Sequence, residues 1–267
     1  MLPKEKLVKR LNEGFHICVG LDSDINKIPL HLRDNPNSIL DFNKAIIEQT
    51  NDIAAAYKIN FAFYEKDGQK GFDLLSKTLE IIPKDVLVIG DAKRGDIGNT
   101  SNMYAQSMFE HFNLDSTTLS PYMGFDSVSP FIKYTANISF ILALTSNPGS
   151  KDFEKLELVS GKKVYQEVIS KVRNWNENKN LGIVFGATNL EELQENIKNF
   201  GGLFVLLPGV GAQGGDLEGI VRTFKEFNNN NYLINVSRAL IYADGTKDFA
   251  KKSREVLLNY NKSIAEV

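Results

Sequence analysis

Short apolar runs rich in β-branched residues alternate with longer amphipathic segments along the whole chain. Strands are predicted near FHICVGL (from Phe15), IAAAYKI (from Ile53), VLVIGDA (from Val86) and STTLS (from Ser116). Four more follow at ISFILAL (from Ile138), LGIVFG (from Leu181), LFVLLP (from Leu203) and YLINVS (from Tyr232). Helical spacing fills the intervals, as in SILDFNKAIIEQT and LEELQENIKNF. Eight strands alternating with helices imply βα units and a parallel sheet. At about 33 residues per unit the eight units use the whole chain, which predicts a single (β/α)8 TIM barrel over residues 1–267. The alternative is a doubly wound open sheet. The longest departure from the alternation is SNPGSKDFEKLELVSGKK, beginning at Ser146. In a barrel it is either a lid over the mouth or a surface excursion.

Composition narrows the function classes. Hydrophobic residues make up 42% of the 267, with 17 Phe and 9 Tyr, enough to bury a core. Lys+Arg 31 against Asp+Glu 33 leaves a net charge of −2, which argues against nucleic acid as a partner. No apolar run approaches the ~18 residues of a membrane span, and the first residues carry no signal-peptide core. A single cysteine, Cys18, excludes an internal disulfide or a thiolate zinc site and suits the cytoplasm. His16, His31 and His111 show no metal-binding spacing. Chemistry is therefore sought among lysines and carboxylates, with no metal or cofactor expected.

The densest chemical segment is VLVIGDAKRGDIGNT, ending at Thr100. Asp91 and Lys93 share strand parity with Leu87 and Ile89, so they are predicted to face the barrel interior at the strand's C-terminal end. Charge there is costly unless paired. Arg94, of opposite parity, should point away. Asp96 and Thr100 are four apart in a segment that reads as a turn into a helix, where they would share one face. Lys58 ends the second strand and Asp22 the first, so three adjacent strands end in charge. The segment LLPGVGAQGGD contains Gly209, Gly211 and Gly214 in a GxGxxG pattern. A dinucleotide site would need an acidic residue after the next strand, but Ser237 and Arg238 stand there. A phosphate cradle with Gln213 and Arg238 as side-chain donors reads better. Ser146 and Asn147 lie at the predicted mouth, as ligand readers or as ordinary turn residues.

These motifs together resemble the orotidine 5′-phosphate decarboxylase family. The Asp-x-Lys-x-x-Asp core of Asp91, Lys93 and Asp96 marks a wider superfamily of phosphate-binding barrels. DAKRGDIGNT, with GLDSD at the first strand and PGVGAQGGD at the seventh, narrows the resemblance to the decarboxylases and, within them, to the bacterial type 2 branch. It covers the chain from about Asp22 to Arg238. The resemblance implies a homodimeric barrel that converts orotidine 5′-monophosphate to UMP, the last step of de novo pyrimidine biosynthesis, without metal or organic cofactor. Lys93 corresponds to the lysine that protonates C6. Lys58, Asp91 and Asp96 match the rest of the charge network, with Asp96 and Thr100 reaching across the dimer interface. Asp22 would bind ribose, Ser146 the pyrimidine edge, and Gln213 with Arg238 the phosphate. Asp91 either aims Lys93 or crowds the substrate carboxylate. The rivals are a metal-dependent sugar-phosphate decarboxylase or aldol-type synthase of the same superfamily, and a non-catalytic phosphate-ligand binding protein.

Overall fold

The computed structural model describes residues 1–211 and 214–267. Among them, β1 (Ile17–Gly20), β2 (Ala56–Asn60), β3 (Leu87–Arg94), β4 (Ser116–Leu119), β5 (Ile138–Leu144), β6 (Leu181–Phe185), β7 (Phe204–Pro208) and β8 (Tyr232–Val236) follow the eight predicted runs. All pair in parallel in chain order, and β8 closes on β1 through Ile17 with Ile234 and Val19 with Val236. The closed barrel excludes the open doubly wound sheet. The helices Ser38–Thr50 and Leu190–Asn196 form on the two segments whose apolar spacing had marked them.

Strand alternation separates two apolar layers. Cys18, Ala56, Leu87, Ile89, Phe140 and Leu206 pack into the barrel interior. Their neighbours of opposite parity, including Val19, Tyr57, Ile141 and Val205, pack outward against the helices. Gly182 belongs to the inner set for want of room: a Cβ there would sit 2.6 Å from the Phe204 carbonyl and 2.7 Å from the Phe140 ring. Cys18 is wholly buried, and burial pushes its thiol up to about 12, so it behaves as an apolar filler.

The N-terminal end of the barrel is plugged by the helix Pro3–Asn12, whose Leu7 and Leu11 join the inner layer. Polar contacts fix this helix. The Lys6 ammonium meets Asp115 Oδ1 at 2.8 Å, and the Arg10 guanidinium donates to the carbonyls of Asp52 and Asn51 at 2.9 and 3.0 Å. The Asp115 carboxylate also accepts the Val88 N–H at 2.9 Å, tying the plug to β3. With this end filled, only the C-terminal mouth can admit a ligand to the interior. Leu7→Ala should remove about 2–5 kcal/mol of stability through the cavity it leaves. The expected readout is a lower urea midpoint with unchanged slope.

Candidate active site

The interior changes character at the C-terminal end of β3. Leu87 and Ile89 fill the barrel, and the next inward residue is Asp91. Beyond it the register with β4 shifts between Gly90 and Arg94, and Lys93 takes a left-handed φ of 48°. A bulge re-aims a side chain, and a left-handed lysine costs about 1–3 kcal/mol unless its surroundings hold it. Here its N–H donates to Thr118 Oγ1 at 2.9 Å, and its Nζ meets Asp91 Oδ1 at 2.6 Å. Arg94 points outward as parity required. It pairs with Glu65 and lies over the Phe61 and Tyr104 rings at 5.7 and 5.2 Å.

Asp91 is the hub of this end. Its Oδ2 accepts from Lys58 Nζ at 3.0 Å, and its Oδ1 accepts from Lys93 Nζ and from Thr118 Oγ1 at 2.9 Å. Lys58 is buried in β2, not at the rim, and reaches Asp22 Oδ1 at 3.6 Å as well. Burial opposes both charges, yet pairing outweighs it. Lys58 and Lys93 hold the Asp91 carboxyl well below the usual carboxylate range. Asp91 and Asp22 hold the Lys58 ammonium above its ordinary value. Lys93 differs from Lys58 in one decisive respect: half of its side chain (49%) is exposed to the mouth, against 5% for Lys58. The array is a fixed ion pair at depth and a presented ammonium above it.

These groups line a pocket of about 320 Å³ at the mouth. Asp22, Lys58, Asp91 and Lys93 form one wall, with Ser146 and Asn147 after β5, Gly209 and Val210 after β7, and Asn235 and Arg238 at β8. The volume suits a small ligand. A larger groove of about 580 Å³ lies at the opposite, plugged end, but its buried charges, Lys6 and Asp115, satisfy each other.

Of the residues expected in the site, Asp22, Lys58, Asp91, Lys93, Ser146 and Arg238 converge on the pocket. Asp22 lies two residues past β1 and does not end it, because that strand stops at Gly20. The glycines of the GxGxxG run have φ of 114° at Gly209, 82° at Gly211 and 78° at Gly214, backbone that favours glycine. Gln213 lies outside the described residues. Asp96 and Thr100 do not join the pocket. They do not share a helix face either, since the helix Gly98–Gln106 begins after Asp96, whose carboxylate accepts the Ile97 N–H at 2.8 Å. Asn147, read as a residue of the mouth, lines the pocket too, and Thr118, Asn60 and Asn235 line it without having been singled out. Paired threonines inside the STTLS strand and the Lys-x-Asn parity after Lys58 were the available signals.

A closed parallel βα barrel whose charged side chains meet at the C-terminal mouth is the architecture of a barrel enzyme. Residues 16–253 match the Orotidine 5'-phosphate decarboxylase / HUMPS family model, and the chain belongs to that family. A relative from Flavobacterium johnsoniae named orotidine 5′-phosphate decarboxylase is 44% identical over 260 residues, 96% of this chain and 94% of that one. One of the same name from Bacteroides fragilis is 44% identical over 256 residues, 94% of this chain and 92% of that one. Among solved structures, Leishmania donovani OMP decarboxylase is similar with a TM-score of 0.83 and 32% identity over 99% of each chain. Leishmania donovani UMP synthase is similar with a TM-score of 0.84 and 35% identity, covering 97% of this chain; the chain spans only 56% of that longer protein.

The charge hub makes a signed prediction for stability. Asp91's folded pKa is lowered, so its contribution is present above about pH 4 and lost as pH falls below. That of Lys58, raised, is present below about pH 10.4 and lost as pH rises beyond. Lys58→Met leaves the buried Asp91 and the half-buried Asp22 without their shared cation, expected to cost about 3–5 kcal/mol at neutral pH. The penalty should shrink as pH falls towards 4, because Asp91 without Lys58 is held down less and takes up a proton more readily, measured by urea denaturation across that range.

Proposed function

We propose that this protein is a single-barrel orotidine 5′-monophosphate decarboxylase that releases CO2 and UMP, with the chemistry carried by Lys93. The observation behind this is the presented ammonium of Lys93, held 2.6 Å from Asp91 Oδ1 at the pocket mouth. Breaking the bond from C6 of the pyrimidine to its carboxylate leaves an electron pair on C6 with no conjugated sink. A preorganised cation stabilises that pair as it develops. At 4 Å a unit pair is worth about 4 kcal/mol at an effective dielectric of 20, or about three decades of rate. Lys93 then donates its proton to C6 and regains one from solvent through its exposed side. Asp91 acts by aiming Lys93, which its paired contacts to Lys58, Lys93 and Thr118 favour over a mainly repulsive role.

The remaining subsites follow the pocket wall. Asp22, half-buried beside Lys58, accepts from ribose hydroxyls. Ser146 reads the pyrimidine edge. Arg238, exposed at the start of the segment after β8, and the Gly209 backbone grip the phosphate, with Gln213 assigned there by resemblance alone. Phosphate binding remote from C6 contributes orientation at the reacting end. The metal-dependent rivals are disfavoured because the Lys58 ammonium occupies the ground between Asp22 and Asp91 where a cation would have to sit. A mere binding protein has no use for a strained, presented lysine above a buried charge pair.

The active unit is proposed to be a homodimer. Ile97, Met103, Tyr122, Met123 and Phe125 expose apolar surface on the loops and helices after β3 and β4, next to Asp96 and Thr100. Such a patch marks an association surface, and pairing there would carry Asp96 and Thr100 to the partner's mouth. No helix among the described residues is long and apolar enough to cross a membrane, and the one cysteine is buried and free, which suits the cytoplasm.

Purified protein should decarboxylate orotidine 5′-monophosphate in the presence of EDTA, followed by the loss of orotate absorbance; strict magnesium dependence would remove the assignment. Lys93→Ala should lose several decades of kcat while remaining folded. Mixing inactive Lys93→Ala with inactive Asp96→Ala should restore part of the activity, because a heterodimer carries one intact site. Persistent inactivity after demonstrated subunit exchange would count against Asp96 acting across the interface.

A further inference from the structure

The bulge that presents Lys93 is held from β4. Between the paired positions Gly90 with Thr117 and Arg94 with Leu119, three residues of β3, Asp91, Ala92 and Lys93, stand opposite the single residue Thr118. A bulge disrupts the ladder, so its backbone groups need other partners. Two adjacent hydroxyls of β4 supply them. Thr117 Oγ1 donates to the Gly90 carbonyl at 2.9 Å, where the irregularity begins. Thr118 Oγ1 accepts the Lys93 N–H at 2.9 Å, where it ends, and also lies 2.9 Å from Asp91 Oδ1.

Counting protons fixes the direction of these bonds. The Lys93 N–H can only donate, and the Asp91 carboxylate can only accept. The one Thr118 proton therefore goes to Asp91, and an Oγ1 lone pair takes the Lys93 amide. Asp91 Oδ1 is also the oxygen that holds the Lys93 ammonium at 2.6 Å. Backbone and side chain of the same lysine are thus tied to one carboxylate oxygen, the side chain directly and the backbone through Thr118. This closed ring holds the left-handed φ of 48° that a free lysine would leave. Thr118 is 1% exposed, and although it lines the pocket its only proton is already committed to Asp91. It has no donor left for a ligand.

We propose that Thr118 is a positioning residue for the decarboxylation: its hydroxyl locks the Lys93 backbone and ammonium onto Asp91 and so aims the amine at the reacting carbon, without binding the nucleotide. The inference rests on the reading of Lys93 as the group that carries the chemistry. It separates kcat from binding, because the ribose and phosphate contacts lie elsewhere on the pocket wall.

Thr118→Val removes the hydroxyl with little change of shape. Turnover of orotidine 5′-monophosphate and calorimetric binding of UMP are the readouts. The variant should lose about tenfold to a hundredfold in kcat, the effect of one hydrogen bond to a charged group. Its KM and its affinity for UMP should stay within about twofold of wild type, as expected when an interaction made only in the transition state is removed. Thr118→Ser, which restores the hydroxyl, should keep most of the wild-type kcat. If the valine variant does not fold, Thr118→Cys carries the same comparison, since a thiol is a weak donor and acceptor. An unchanged kcat in a folded valine or cysteine variant overturns the role of Thr118. So does a loss of UMP affinity in proportion to kcat, which would mark general disruption of the pocket, or a serine variant as slow as the valine one. A wild-type enzyme without decarboxylase activity defeats the functional assignment instead.

Discussion

The structure depends on keeping a carboxylate charged inside a barrel. Asp91 sits at the top of an apolar column made by Leu87 and Ile89, where an unpaired charge would cost several kcal/mol. Two ammonium groups and the Thr118 hydroxyl meet that cost. Each partner comes from a different strand or a displaced register, so the charge can be buried only if β2, β3 and β4 are assembled correctly. The same requirement makes the site rigid: Lys58 is locked between Asp22 and Asp91, and Lys93 is left with one direction to point.

The barrel's two ends divide the work. At the N-terminal end, charge serves closure, with Lys6 and Asp115 neutralising each other and holding Leu7 and Leu11 in the interior. At the C-terminal end, charge is left partly exposed and strain is tolerated, as the left-handed Lys93 shows. The bulge after Gly90 is the device that converts a strand edge into a presented amine. A net charge of −2 would not draw in an anionic nucleotide, so attraction has to be local. Lys93 and Arg238 at one mouth supply it.

The segment after β5 shows how a surface excursion becomes part of the wall. Its bulk is exposed, with Phe153 and Val159 in solvent, yet Glu154 and Lys155 turn inward to the backbone and side chains beside Ser146. Tethering at mid-segment restricts its motion to the parts on either side of the tether. The polar wall is thereby held by residues that do not themselves line the pocket.

Much of this was legible from pattern. The eight apolar runs fixed strand number and order, because an alternating βα chain has few other ways to bury them. Inward parity identified Asp91 from Leu87 and Ile89, and three charged strand ends pointed to one mouth. Asn60 and Thr118 escaped because a polar residue in a strand looks alike whether it faces a ligand or a neighbour's carbonyl. Asp96 and Thr100 were placed on one helix face, but the helix starts later, at a glycine whose φ of 53° no periodicity reveals. The sequence by itself determined the barrel, its family and the identity of the charged groups, since these rest on local spacing and residue type. Tertiary structure alone decided that Lys58 is buried and Lys93 presented, and that Glu154 returns to Thr145. Those outcomes depend on which strands and loops become neighbours, and a hydrogen bond or an ion pair has no strength until its partners are brought within about 3 Å.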